Sequence, residues 1–272
     1  MAVLRLPAAV FDSVSVAVTF ALSNTAAGSL STATSGAVTS TFDSNTGVWT
    51  ASGAITDVNA LLAGVTFNPA LNFNGSFTIA TSVSDGSLSV TGSKSMTGTA
   101  VNEAPVLDAS KSPVLASQAE DAGAPSGAVG TLVSSLVDFA SPAGQVDNVT
   151  DVDSDAQLGL ALTGANTTNG TWFYSTNNGS TWTAVGSVSD SSALLLAADA
   201  NTRLYFQSNA NFNGTVSDAV TFRAWDQTSG TAGTKVAVST NGGATAFSTT
   251  TDTAAITVTA VNDAPTATNL NA

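Results

Sequence analysis

The sequence predicts an all-β chain, folded as two tandem β-sandwich modules with Greek-key connections. Segments 13–23 (SVSVAVTFALS), 76–84 (SFTIATSVS), 219–225 (AVTFRAW) and 254–261 (AAITVTAV) alternate β-formers with small polar residues. Gly, Asn and Asp punctuate these runs at short intervals, as turns between short strands require. One phrase also recurs: VNEAP at 101–105 returns as VNDAP at 261–265.

The recurrence extends upstream. Residues 64–86 (GVTFNPALNFNGSFTIATSVSDG) match 204–227 (LYFQSNANFNGTVSDAVTFRAWDQ), with Phe67, Phe73, Asn74 and Gly75 aligned to Phe206, Phe212, Asn213 and Gly214 at a constant offset of 139. Each copy continues through an Asp (Asp85, Asp226) and a Thr/Val-rich strand to the pentapeptide, which reads as a terminator because proline cannot donate to a ladder. An insertion over 227–252 lengthens the second copy. The expected modules are 1–104 and 105–265, with 266–272 (ATNLNA and the residue before it) opening a further linker or module. The start, MAVLRLPAAVF, lacks the apolar core and small-residue cleavage site of a signal peptide, so its Met is expected to be an added start inside a longer protein.

Helix signals are few. In 57–67, Val58, Leu61 and Leu62 fall on one side, and 191–204 (SSALLLAADANTRL) is the parallel candidate in the second copy. One hairpin is explicit: 170–186 (GTWFYSTNNGSTWTAVG) carries Asn178-Gly179, residues that accept positive φ. STNNGSTW resembles the Asp-box hairpin of sialidase propellers, with Asn177 in place of the Asp. Such hairpins are folding devices; an exposed Trp172 or Trp182 would instead offer a stacking platform for sugar.

Composition removes several function classes. Of 272 residues, 43% are hydrophobic, which is enough to build cores. Six Lys and Arg face 19 Asp and Glu, for a net charge of −13, which repels nucleic acid and anionic lipid and attracts cations. Without His or Cys, Ser-His-Asp and Cys-His catalysis and thiolate metal sites are unavailable in this chain. No apolar run is long enough to cross a membrane as a helix. The three arginines (Arg5, Arg203, Arg223) do not form a sialidase cluster, and the glycines read as turns. An enzyme is not expected.

The acids have a pattern. Asp151, Asp153 and Asp155 alternate in DVDSD, and Glu120 and Asp121 stand upstream. Alternate carboxylates can turn toward one hard cation, and no Lys or Arg lies near them in sequence; the competing reading is a solvated acidic loop.

Taken with the hairpin, the NFNG turn and the terminator, the string from DVDSDAQLGLALTG to ITVTAVNDAP resembles the cadherin-like, immunoglobulin-type tandem repeats of giant bacterial surface and secreted proteins. The resemblance covers nearly all of 105–265, and 13–104 resembles a related, shorter repeat. It implies sandwich modules strung end to end and stiffened by Ca2+ at their joints, in an extracellular or cell-surface adhesin that serves cell attachment or biofilm. Carried over residue by residue, it implies a metal site using Asn102, Glu103, Glu120, Asp151, Asp153 and Asp226, with Asp121 and Asp155 as further candidates. The partners it implies are neighbouring repeats, and other copies joined by strand addition. The alternative is a carbohydrate-binding module using Trp172 and Trp182. The first copy lacks a leading Glu-Asp and an Asp-x-Asp run, so its first strand is either missing or supplied by a neighbour.

Overall fold

The computed structural model describes residues 15–264. The expectations about the signal segment and about 266–272 lie outside these residues. The chain is all-β and divides into two units, Met1–Val101 and Asn102–Ala272. Sequence spacing put the boundary at 104; the whole pentapeptide but its Val belongs with the second unit.

The first unit runs β1 (Ser15–Leu22), β2 (Gly28–Leu30), β3 (Thr34–Ser35), β4 (Val38–Thr39), β5 (Thr41–Asp43), β6 (Val48–Ala54), α1 (Ile55–Gly64), β7 (Phe67–Pro69), β8 (Gly75–Ser84) and β9 (Ser89–Gly98). Five strands form one sheet in the order β5-β6-β1-β8-β9. Alternation along β1 sends Val16, Val18, Phe20 and Leu22 to the core, where Phe20 stacks on Trp49 at 5.0 Å between ring centroids. A ten-residue helix forms over Ile55–Gly64, beginning two residues before the stretch 57–67 and ending before Phe67, which joins a strand, and it buries Val58, Leu61 and Leu62. Together with the β2-β7 and β3-β4 ribbons, α1 makes the opposing layer.

The second unit contains β10 (Val106–Leu107), β11 (Gln118–Ala119), β12 (Thr131–Leu132), β13 (Val149–Thr150), β14 (Gly159–Ala165), β15 (Gly170–Ser175), β16 (Thr183–Ala184), β17 (Ala193–Ala197), β18 (Arg203–Ser208), β19 (Gly214–Trp225), β20 (Lys235–Val236) and β21 (Asp252–Thr259). A six-stranded sheet, β11-β21-β19-β14-β17-β20, and a four-stranded sheet, β12-β18-β15-β16, share one core. Trp172 on β15 and Phe206 on β18 meet there at 4.8 Å.

The duplication is written in the pairing. The order β6-β1-β8-β9 returns as β17-β14-β19-β21, and the β2-β7 ribbon returns, enlarged, as β15-β18. Gly75 pairs with Gly98 and Gly214 with Val258, each three residues before its pentapeptide. The NFNG turn repeats closely: Asn72 and Asn211 take φ of 59° and 60°, and Gly75 and Gly214 take 128° and 133°. The latter is a backbone region that only glycine enters without strain. Phe73 and Phe212 both pack at the margin of their cores; Phe206 is fully buried, and Phe67, on the shorter ribbon, only partly.

The second helix expected, over 191–204, is absent. Those residues supply β17, whose five members are all buried. The run ALLLA is apolar on both faces because the insertion covers the outer one. Ala193 and Leu195 pack with Trp225, Val238 and Phe247, while Leu194 and Leu196 face the central core. A continuous apolar run suits a doubly covered strand as well as it suits a helix. Arg223, 8% exposed, fastens the insertion through its Nη1, which donates to the carbonyls of Ser248 and Thr249 at 3.2 and 2.6 Å, and it pairs with Asp190 at 3.3 Å.

Candidate functional site

The acidic and amide residues proposed from sequence, Asp155 apart, fall into two groups at opposite ends of β19. Asp226 directly follows that strand. Its Oδ1 accepts from the Thr228 N–H at 2.8 Å and the Thr228 hydroxyl at 2.6 Å. Its Oδ2 accepts from the Asn102 amide at 2.9 Å. Asn102 also donates to the Thr245 carbonyl at 3.1 Å, and the Ala104 N–H donates to the Gly243 carbonyl at 2.8 Å. The Glu103 N–H donates to Asp153 Oδ2 at 2.9 Å, and the Asp153 N–H donates to Asp151 Oδ1 at 3.0 Å. Asn102, Glu103, Asp151, Asp153 and Asp226 are thus drawn into one network, and the second unit holds the terminator that follows Val101.

The network carries electrostatic cost. Asp226 is 2% exposed. Asp151 Oδ2 is enclosed without a hydrogen-bond partner. Burial, with the nearby charges of Asp153 and Asp226, pushes the Asp151 carboxyl above the ordinary carboxylate range. The ion pair of the described residues, Arg223–Asp190, involves none of these five. The ligand atoms these five side chains could offer a metal are hard oxygens, the set that Ca2+ takes and thiolate-seeking metals do not. The fit is that of a cation-compatible cluster, with one enclosed oxygen still lacking a partner. It is not a ready-made cage: among the described residues no group of three or more acidic side chains is gathered as a metal site.

Glu120 requires a correction. Its Oε2 accepts from the Asn213 amide at 2.9 Å, just before β19, and its Oε1 from the Val261 N–H at 2.7 Å. The twelve residues of β19 separate Asn213 from Asp226, on the order of 40 Å at about 3.3 Å per strand residue before the irregularity between Val216 and Val220 shortens it. Glu120 therefore cannot share a cation with Asp151 and Asp153. It clamps the second terminator instead, and the Asn213 amide first, then the Val261 N–H, holds its carboxyl below the ordinary range. Asp121 beside it is exposed. Asp155 is exposed too, outside the network, its carbonyl accepting from Gln157 at 3.4 Å. The sequence did not single out Thr228, Thr245 or Gly243; their one signal was membership of an insertion that starts directly after Asp226.

The hairpin keeps its turn. Asn178 and Gly179 take φ of 53° and 81°, and a Cβ at Gly179 would lie 1.8 Å from the Gly127 carbonyl oxygen. Residues 176–182 lie outside the ladder, so the loop is wider than a two-residue turn. Trp172 is 1% exposed and donates to the Asn166 carbonyl at 2.8 Å, so it has no face for a sugar. Trp182 is half-buried. It packs edge-on against Tyr205 at 5.8 Å and donates to the Gly127 carbonyl at 3.2 Å.

Comparison with protein-family models gives no match, and no curated protein matches. Two solved structures are similar at a low level. They are the endo-fucoidan hydrolase MfFcnA4 of glycoside hydrolase family 107 (16% identity, TM-score 0.24) and a single-substitution variant of it (18% identity, TM-score 0.25). Each match covers 86% of this chain and 24% of the hydrolase, so the chain spans about a quarter of that enzyme's length.

Proposed function

We propose that the chain is a non-enzymatic, adhesin-like segment of a large bacterial extracellular protein. In this reading its units are cadherin-like, immunoglobulin-type sandwiches, and Ca2+ binding at Asn102, Glu103, Asp151, Asp153 and Asp226 stiffens a stalk or fibre that serves attachment. The observation that carries it is the enclosed, unpartnered Asp151 Oδ2 inside a network that already ties the terminator to the second unit. A bound Ca2+ would supply positive charge to three carboxylates that repel one another. The chain's own part is positional: Asp226 orients Asn102, and Asp153 holds the Glu103 backbone. Affinity in the range of extracellular modules, on the order of 10⁻⁴–10⁻³ M, is expected. Small-angle scattering of wild type and Asp151→Asn/Asp153→Asn, with Ca2+ and then chelator, tests the reading. A maximum dimension that responds to chelator in wild type alone supports it, and indifference in both refutes it.

The carbohydrate-binding reading rests on Trp182 alone, now that Trp172 is in the core. Glycan-array signal removed by Trp182→Ala would favour it over the stalk.

A further inference from the structure

The two copies differ at one sheet edge. In the second unit, β21 is covered on its outer side by residues 114–120. Gln118 and Ala119 pair in parallel with Val258 and Thr259, and Val114 makes a parallel bridge to Ala255. The N–H groups of Leu115 and Glu120 donate to the carbonyls of Ala255 and Thr259 at 2.9 and 3.0 Å. The counterpart of β21 in the first unit is β9, which ends its sheet; among the described residues nothing pairs with its outer side. That edge is ten residues long and its register to β8 is unbroken from Gly75↔Gly98 to Ser84↔Ser89. It has neither the proline nor the bulge by which edges are usually blunted; Lys94 is its one guard.

We propose that β9 is a strand-acceptor site whose occupant is an extended peptide lying parallel to it, of the small and apolar kind that residues 114–120 supply to β21. The internal repeat defines the register. The two pentapeptides begin at Val101 and Val261, so Ala255 corresponds to Ser95 and Thr259 to Thr99. Ala255 turns its carbonyl toward the covering strand, and the N–H and C=O of one strand residue point to the same side. Ser95 therefore offers its backbone groups outward. Main-chain bonds supply the affinity in such strand addition, as in other edge-binding modules. In this register Lys94 lies opposite Pro113, and Glu120 and Asp121 reach past the end of β9, so main-chain bonds rather than charge hold the occupant.

The test uses the full chain, with chelator present so that it fails or succeeds independently of the cation reading. A fluorescent peptide of residues 112–121 (SPVLASQAED) is titrated with the protein and followed by anisotropy. The segment's own copy already covers β21, so β9 is the acceptor left for it. Saturable binding is expected, weakened about tenfold or more by Ser95→Pro, which removes an outward donor without touching the β8 ladder. A Leu115→Pro peptide, which lacks the N–H that bonds the Ala255 carbonyl in the second unit, should also bind more weakly, and serves if Ser95→Pro fails to fold. No saturable binding, or equal binding by both variants, overturns the proposal. A concentration-dependent dimer in sedimentation that Ser95→Pro dissolves, without peptide binding, also overturns it, because a second copy then holds the edge.

Discussion

Replacing Asp151 by Asn should change the sign of its effect on stability according to whether Ca2+ is present. Without the cation, wild type carries three carboxylates in one network, and one Asp151 oxygen is enclosed without a partner. Burial first, then the charges of Asp153 and Asp226, raise the Asp151 carboxyl. A carboxyl whose folded pKa exceeds its unfolded value favours folding below the ordinary value. That contribution is lost as pH climbs through the raised one, so at neutral pH the ionised group is a liability. Asn removes the charge and offers an amide to its acidic neighbours. The gain is about 1 kcal/mol, the low end for an unsatisfied buried oxygen, because the residue is only half-buried. That corresponds to about 2–4 °C in Tm for a domain of this size. With Ca2+ at ten to a hundred times its expected dissociation constant, wild type gains about 1.4–2.7 kcal/mol, or about 3–10 °C, and the variant gains nothing. The assay is thermal unfolding by circular dichroism in chelator and in about 10 mM Ca2+. A variant that melts below wild type in chelator refutes the electrostatic argument. Equal Ca2+ shifts in both proteins refute the assignment of Asp151 to the site.

Three further outcomes follow from the geometry. Trp172→Ala should cost about 3–5 kcal/mol, because it empties the centre of the core beside Phe206, and chemical denaturation would read it; a change near zero would mean the indole is not the core residue described. Glu120→Ala should speed hydrogen exchange at Val261, which loses its acceptor, and leave the Asn102 region unchanged; coupled changes at both ends would restore Glu120 to the first network. Asp252 is 9% exposed, and burial, followed by the Asp108 charge, raises its carboxyl. By the same sign, Asp252→Asn should flatten the loss of stability as pH rises above the ordinary carboxylate value, and an unchanged pH profile would contradict this.

Much of the fold was legible because both signals that mark it are local. Alternation along β1, β8 and β21 depends only on which face is buried, and the NFNG turn depends on what Asn and Gly tolerate in their own backbone. The run at 193–197 misled because its burial on both faces is decided by an insertion some forty residues downstream. The network was half legible: Asn102, Glu103, Asp151, Asp153 and Asp226 come together, but Glu120 does not. Chain order places Glu120 close to the first pentapeptide, while the parallel pairing of β11 with β21 carries it to the second. Trp172 and Trp182 look alike as letters. Strand β15 points the Trp172 indole into the core, whereas Trp182 stands in the loop outside the ladder and is left half-buried at the surface.

The most direct measurement of the central claim is calorimetric titration of the full chain with Ca2+, run on wild type and on Asp151→Asn/Asp153→Asn. The account predicts saturable binding with a dissociation constant on the order of 10⁻⁴–10⁻³ M in wild type, and its loss in the double variant. No heat of binding in wild type, or the same isotherm in both proteins, would contradict it.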